Sequence, residues 1–207
     1  MDGVSGIVLA GGRGTRLGGV NKALLDIAGR TTLQRLLDTL AGLAPEMILV
    51  VNDESLARTP NVRIVRDPDP HAGVLPAMLA ALEVATRPLS VLVACDMPFL
   101  NRTLLDWMVE TGLDYDVVIP RVEEQLQPMH AVYRRDACRD AVAAALARGD
   151  RRMISFLDHL RVREVGEQEL RRLDPELLSF FNINTREDLD RAREIAGAGS
   201  RPSAAPG

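Results

Sequence analysis

Gly6-Ile7-Val8-Leu9-Ala10 runs directly into Gly11-Gly12-Arg13-Gly14-Thr15-Arg16-Leu17-Gly18-Gly19, and Lys22 follows the last glycine closely. The first five residues form a short apolar run that stops at a glycine cluster, the pattern of a buried strand. Glycines placed there admit unusual backbone angles and a close approach to the chain. Consecutive N–H groups, including those of Gly11 and Gly12, can then converge on phosphate oxygens. Arg13, Arg16 and Lys22 add positive charge to the same loop, and the whole fits a triphosphate. A flexible glycine turn with solvated arginines is the simpler alternative. Two familiar phosphate loops do not match. A P-loop places Ser or Thr after its lysine and glycine before it, whereas Lys22 lies between Asn21 and Ala23. A dinucleotide-binding G-x-G-x-x-G fits Gly12 and Gly14 but meets Leu17 where its third glycine belongs.

Outward from this loop, apolar runs rich in Val, Ile or Leu recur at Met47 to Val51, Val62 to Val65, Val91 to Ala94 and Val117 to Pro120. Between them lie segments with helical spacing: Leu33, Leu36, Leu37 and Leu40, then Met78, Leu79 and Leu82, then Leu104, Leu105 and Met108. Strand and helix alternate, which predicts an α/β fold, a three-layer sandwich with a mostly parallel central sheet of Rossmann-like kind. Ligands of such sheets settle beyond the carboxyl ends of the strands, so the loops after the first four strands are where a site belongs. Beyond Pro120 the pattern is less regular. Ala131 to Arg134 reads as a strand, Asp136 to Ala147 as an Ala-rich helix, and Arg152 to Leu160 as another helix, set off by Gly149-Asp150. Residues 1–196 are expected to form one domain, and the small, apolar-poor stretch Gly197 to Gly207 a disordered tail.

With 207 residues and 46% hydrophobic content, the chain can bury a sizeable core. Its 25 basic and 29 acidic residues are mixed along the sequence, for a formal net charge of -4. No basic stripe points to nucleic acid and no polybasic tail to anionic lipid, so a small-molecule partner is favoured. The start lacks a positively charged region followed by a long apolar one, and no segment reaches the roughly 18 apolar residues of a membrane span. A cytoplasmic protein is expected. Cys95 and Cys138 belong to no CxxC or Cys/His cluster and read as two buried free thiols.

One more run carries chemistry. Ser90-Val91-Leu92-Val93-Ala94-Cys95-Asp96-Met97-Pro98-Phe99-Leu100 puts a carboxylate at the end of an apolar strand that Pro98 then stops. Mg2+ commonly takes only one or two carboxylates and fills its remaining positions with phosphate oxygens and water, so Asp96 suits a metal bridging protein and triphosphate. Asp96 could instead cap the helix beginning near Asn101, although Asn101 is the better-placed cap.

The run Leu9 to Lys22 resembles the signature loop of the nucleotidyltransferase superfamily that activates sugars, alditols and pterin cofactors. Asp-Met-Pro-Phe-Leu from Asp96 resembles the metal-site motif of one branch, the molybdenum cofactor guanylyltransferases. That likeness extends from about Gly6 to Ala196. It includes Val50-Val51-Asn52, Arg66-Asp67, Gln127 to Tyr133 (QPMHAVY), Arg148 to Met153 (RGDRRM) and Phe181 to Leu189 (FNINTREDL). The resemblance implies a nucleotidyltransferase fold, with Leu9, Ala10, Gly11, Lys22, Asn52, Asp67 and Asp96 as nucleotide ligands and Asp96 also on Mg2+. It places Asn182 and Asn184 on the acceptor side. Where the family carries G-P-L-A-G near the base, this chain has Gly73-Val74-Leu75-Pro76-Ala77, which changes the backbone groups able to face that base.

The implied activity is transfer of GMP from GTP to the phosphate of molybdopterin, with pyrophosphate leaving. Lys22 would meet the α-phosphate, Arg13 and Arg16 the leaving pyrophosphate, and Asp96 the metal. The acceptor is already anionic, so His71, His130 and His159 need no catalytic role. The resemblance also implies transient contact with a molybdoenzyme or its chaperone. Two alternatives stay open: cytidylyl transfer to the same pterin, or nucleotidyl transfer to another phosphorylated acceptor; and a nucleotide-binding regulatory protein without chemistry.

Overall fold

The structure, a computed structural model, describes residues 3–11, 13–14 and 19–199. The elements follow in the order β1 (Val4–Ala10), β2 (Arg13–Gly14), β3 (Val20–Asn21), β4 (Asp26–Ile27), β5 (Arg30–Thr31), α1 (Thr32–Ala41), β6 (Glu46–Val51), β7 (Arg63–Arg66), α2 (Leu75–Val84) and β8 (Leu89–Ala94). Then come α3 (Arg102–Thr111), β9 (Val117–Val122), β10 (Gln125–Leu126), β11 (His130–Arg134), α4 (Arg135–Ala147), β12 (Val162–Gly166), α5 (Glu167–Leu170) and α6 (Arg186–Gly199).

The main sheet has the order β10-β9-β11-β8-β1-β6-β7, with β12 also paired to β9. β1 lies between β6 and β8 and is parallel to both, and every one of its residues is buried. This explains its composition, because a parallel strand covered on both faces needs a continuous apolar run rather than alternation. Helices cover both faces. Val8 of β1 packs in one core with Leu33, Leu36 and Leu40 of α1 and Leu104, Leu105 and Met108 of α3. Ile7 and Leu9 face the other core, with Leu75, Met78 and Leu82 of α2 and Cys138, Val142 and Ala145 of α4. The three-layer α/β sandwich expected from the alternation is thus present. Its parallel character holds for β1, β6, β7 and β8, whereas β11 enters antiparallel between β8 and β9.

Local signals set the helix starts. Thr31 and Gln34 form a reciprocal capping box at α1, and the Asn101 side chain accepts from Leu104 N–H at α3. Two expectations need correction. Arg152 to Leu160 is a chain of turns ending in a single 3-10 turn, Leu157–His159, rather than a helix. Its bonds run i to i+3, as in Ser155 N–H to the Arg152 carbonyl and Leu160 N–H to Leu157, so no α-helical nucleus forms in so short a segment. The predicted tail starts too early as well. α6 continues through Gly199, and residues 200–207 lie outside the described ones. Among the described residues, no helix is long and apolar enough to cross a membrane.

Candidate active site

The chain leaves β1 for α1 on one face and reaches β8 from α2 on the other, so the strand order reverses beside β1. That reversal opens a crevice at the carboxyl ends of the strands. Gly11 follows β1, Asn52 follows β6, Asp67 follows β7, and Cys95-Asp96 follow β8. Backbone bonds hold the loops together: Cys95 N–H donates to the Leu9 carbonyl at 3.1 Å, and Asp67 N–H to the Val51 carbonyl at 3.1 Å. A cleft of about 470 Å3 results, in the range of small-molecule sites. Leu9, Val50, Pro70, Val74 and Ala77 give it an apolar end, while Lys22, Asp96 and Asn182 make a polar one.

At the polar end three distant segments meet. Lys22 opens a 3-10 turn, Lys22–Leu24, capped by the Asn21 side chain, which accepts from Ala23 N–H. The Asn21 amide also donates to Asp53 Oδ2 at 2.9 Å, which ties this turn to the loop after β6. Lys22 Nζ then lies 3.0 Å from Asp96 Oδ2 and 2.6 Å from Asn184 Oδ1. Asp96 is fastened through its main chain, since its carbonyl accepts from Ile183 N–H at 3.0 Å. Asn184 is fastened by Asp188, whose Oδ2 accepts from the N–H groups of Asn184 and Thr185 at 2.9 and 2.8 Å. Burial works to raise the Asp188 carboxyl pKa, but these donors, the Thr185 hydroxyl and the charge of Lys22 together hold it below its ordinary value.

The other Asp96 oxygen, Oδ1, is buried and has no hydrogen-bond partner among the described residues. A buried carboxylate oxygen without a donor is costly, and a group that binds there recovers that cost. Cation, carboxylate and amide carbonyl together can receive a phosphate chain and the metal that accompanies it.

At the apolar end, the Asn52 amide donates to Asp67 Oδ2 at 3.3 Å, and Asp67 Oδ1 accepts from Asp69 N–H at 3.0 Å. Gly11 sits directly beneath this pair: a Cβ there would lie 2.8 Å from Asn52 Nδ2 and 3.6 Å from Asp67 Oδ2. The glycine is needed for close approach rather than for a left-handed angle. Gly73, in contrast, has φ +90°, and a Cβ there would reach the Arg151 carbonyl at 3.7 Å.

Leu9, Gly11, Lys22, Asp67, Asp96 and Asn182 all line the cleft, and Asn52 and Asn184 bond to residues that do. Ala10 does not present its side chain there. It packs into the α1 and α3 core, because neighbours on a strand point to opposite faces, and only its backbone can serve a ligand. Gly12 and Arg16 lie outside the described residues, and for Arg13 the backbone alone is described, pairing with Asn21. Since Asn101 caps α3, Asp96 is not that helix's cap.

Asp188, Asn21 and Asp53 were missed by sequence reasoning. Asp188 stands within the FNINTREDL run, three residues after a threonine at a helix start, so a capping signal was there to be read. Cys95 is buried beside Asp96; burial first, then that carboxylate, push its thiol up to about 12, so it is no nucleophile. His130 is wholly buried, with its ring 4.8 Å from that of Phe180. Burial pulls its pKa down to about 4, against a smaller opposing contribution from the Ser179 backbone. It is a packing residue, as the two free cysteines are.

Residues 6–164 match the sequence profile of a family described as MobA-like NTP transferase domain. The chain is 36% identical over 200 residues to the molybdenum cofactor guanylyltransferase of Desulfosudis oleivorans, with 96% of this chain and 98% of that protein covered. It is 38% identical over 198 residues to a probable molybdenum cofactor guanylyltransferase of Methanosarcina mazei, covering 90% and 88%. Its fold superimposes on the crystal structure of molybdopterin-guanine dinucleotide biosynthesis protein A from Archaeoglobus fulgidus with a TM-score of 0.80. The two are 30% identical, over 94% of this chain and 99% of that one.

Proposed function

The chain belongs to the MobA-like NTP transferase family, and from that premise we propose that it transfers GMP from GTP to the phosphate of molybdopterin and releases pyrophosphate. The observation that carries this reading is the meeting of Lys22, Asp96 and Asn184 at the polar end of a cleft the size of one nucleotide. An acceptor phosphate oxygen attacks the α-phosphorus, forming a P–O–P linkage. The bond from that phosphorus to the α–β bridging oxygen breaks, and pyrophosphate departs with the electron pair. No proton has to be removed, so the protein's share is alignment and charge neutralisation.

Each residue then has a task. The backbone of Leu9 to Gly12, with Asn52 and Asp67, holds the nucleoside. Lys22 exchanges its present partners for the α-phosphate, and Arg13 and Arg16 serve the leaving pyrophosphate. Asn182 and Asn184 face the acceptor. Asp96 is the residue for Mg2+: its orphaned Oδ1 fits a hard cation, and one carboxylate is enough for an ion that completes its shell with phosphate oxygens and water. Bound there, Mg2+ would offset charge developing on the phosphates. The reaction is assigned to the cytoplasm on this reading, with the product passed on to a molybdoenzyme or its chaperone.

Pyrophosphate release measured with GTP, ATP, CTP and UTP, each with and without molybdopterin, tests the reading. GTP with molybdopterin should be the productive pair. Preference for CTP would move the assignment to cytidylyl transfer, for which the Gly73-Val74-Leu75-Pro76-Ala77 loop at the apolar end is the place to look. Nucleotide binding without pyrophosphate release from any pair would leave only a regulatory role.

A further inference from the structure

Lys22 is the chain's only lysine; every other basic side chain apart from the histidines is an arginine. Its charge sits on a flexible stem, so where the ammonium points depends on how the backbone beneath it is held. On the downstream side burial holds it. Ala23 is wholly enclosed in the α1 and α3 core, and Leu25 packs with Ile183 and Leu189. The upstream side has no such anchor. Gly19 has φ +79° with no described atom within 4 Å of where a Cβ would lie, Val20 is 46% exposed, and the β2–β3 ribbon stands apart from the main sheet. Asn21 is where that freedom ends.

The Asn21 side chain makes two bonds of opposite polarity: its Oδ1 accepts from Ala23 N–H at 3.0 Å, and its amide donates to Asp53 Oδ2 at 2.9 Å. Asp53 is a fixed post. It stands between the end of β6 and Leu56, which is buried in the same core as Ala23, and its Oδ1 accepts from Ser55 N–H at 2.8 Å. Both Asp53 oxygens are therefore acceptors. The Asn21 amide first, and Ser55 after it, hold the carboxyl below the usual carboxylate value. Neither side chain lines the cleft, so the pair can act on a substrate only through the residues it holds.

We propose that Asn21 and Asp53 are a positioning pair that aims Lys22 at the α-phosphate, and this rests on the reaction proposed above. Because Asp53 directly follows Asn52, one bridge sets the phosphate end of the cleft relative to the nucleoside end. Its polarity is specific: Asn21 must offer one acceptor and one donor, and Asp53 two acceptors. Asp53→Asn turns an amide donor against either the Asn21 amide or the Ser55 N–H, and Asn21→Asp sets two carboxylates face to face. Both changes together rebuild every bond with the bridge reversed. The new carboxylate accepts from Ala23 N–H and from the new amide, whose oxygen accepts from Ser55 N–H.

The test compares wild type, Asn21→Asp, Asp53→Asn and the double exchange by melting temperature, GTP affinity in calorimetry, and kcat and KM for pyrophosphate release with GTP and molybdopterin. NMR of protein made with isotope-labelled lysine adds a readout that needs no turnover, since one lysine gives one side-chain signal. Each single variant should lose about tenfold or more in kcat at saturating substrate, with KM for GTP little changed and the lysine signal displaced. The double exchange should recover most of kcat and return the signal toward its wild-type position. A merely structural bridge would lower the melting temperature and leave both of these alone. Wild-type kcat and lysine signal in the single variants overturn the proposal, as does damage that the double exchange fails to relieve, even where wild type transfers GMP. If wild type releases no pyrophosphate with any nucleotide while the lysine signal still follows the pair, the reaction falls and the positioning of Lys22 stands.

Discussion

Lys22 Nζ and Asp96 Oδ2 are 3.0 Å apart although 74 positions separate the residues, and the pair is mostly shielded, with side-chain exposures of 15% and 21%. A shielded ion pair across a ligand cleft stores charge in a neutral form. Neither side chain is fully buried, and each offsets the other's charge until phosphate or metal takes over as partner. Asn184 Oδ1, at 2.6 Å from the same nitrogen, makes the arrangement a three-way one.

Replacing Lys22 by Ala should lower pyrophosphate release by about a hundredfold or more, since a charge aimed at the developing phosphate charge is lost. Circular dichroism of the variant should match wild type, because the side chain serves the cleft and not either core. Turnover near the wild-type rate would remove Lys22 from the reaction.

Asp96→Asn tests the metal assignment more narrowly. The amide oxygen can still accept from Lys22, so the unliganded protein should melt within a few degrees of wild type. An amide is a poor ligand for a hard cation, however, and turnover should fall by about a hundredfold, with the added thermal protection by Mg2+ and GTP largely gone. Full activity of the variant at low Mg2+ would show that the metal binds elsewhere.

Gly11→Ala is expected to act on binding and hardly on stability. The new methyl would meet the end of the Asn52 side chain, which can swing aside, so the melting temperature should change little. Asn52 would then lose Asp67, and GTP affinity should drop about tenfold by calorimetry. Adding Asn52→Ala should cost little more, because both changes disturb one contact. Full additivity would argue against that coupling.

His130 predicts a pH dependence of stability. Its pKa is about 4 in the folded protein and 6.5 ordinarily, so between these values the unfolded chain binds a proton that the folded one refuses. Stability from this residue is complete above pH 6.5 and is lost as pH falls toward 4, on the order of 3 kcal/mol in all. His130→Phe keeps a ring against Phe180 without a proton to bind. Urea unfolding of both proteins at pH 7.5 and pH 4.5 should show a much smaller acid loss for the variant, and equal losses would refute the account.

The sequence by itself determined the layers and where to search. Apolar runs such as Gly6 to Ala10 declare a buried strand, helical spacing such as Leu33, Leu36 and Leu40 declares one buried stripe, and glycines after the first strand mark the loop near a ligand. These are local signals, because periodicity records which side of each element is removed from water. Tertiary structure alone decided the rest. It set β11 antiparallel between β8 and β9, turned Ala10 into the core while Leu9 lines the cleft, and resolved Arg152 to Leu160 into turns. It also brought Lys22, Asp96 and Asn184 together and tied the Lys22 turn to Asp53. None of these has a period to read. Each depends on which strand edges meet and how the loops between them close, and that is settled by packing of the whole chain.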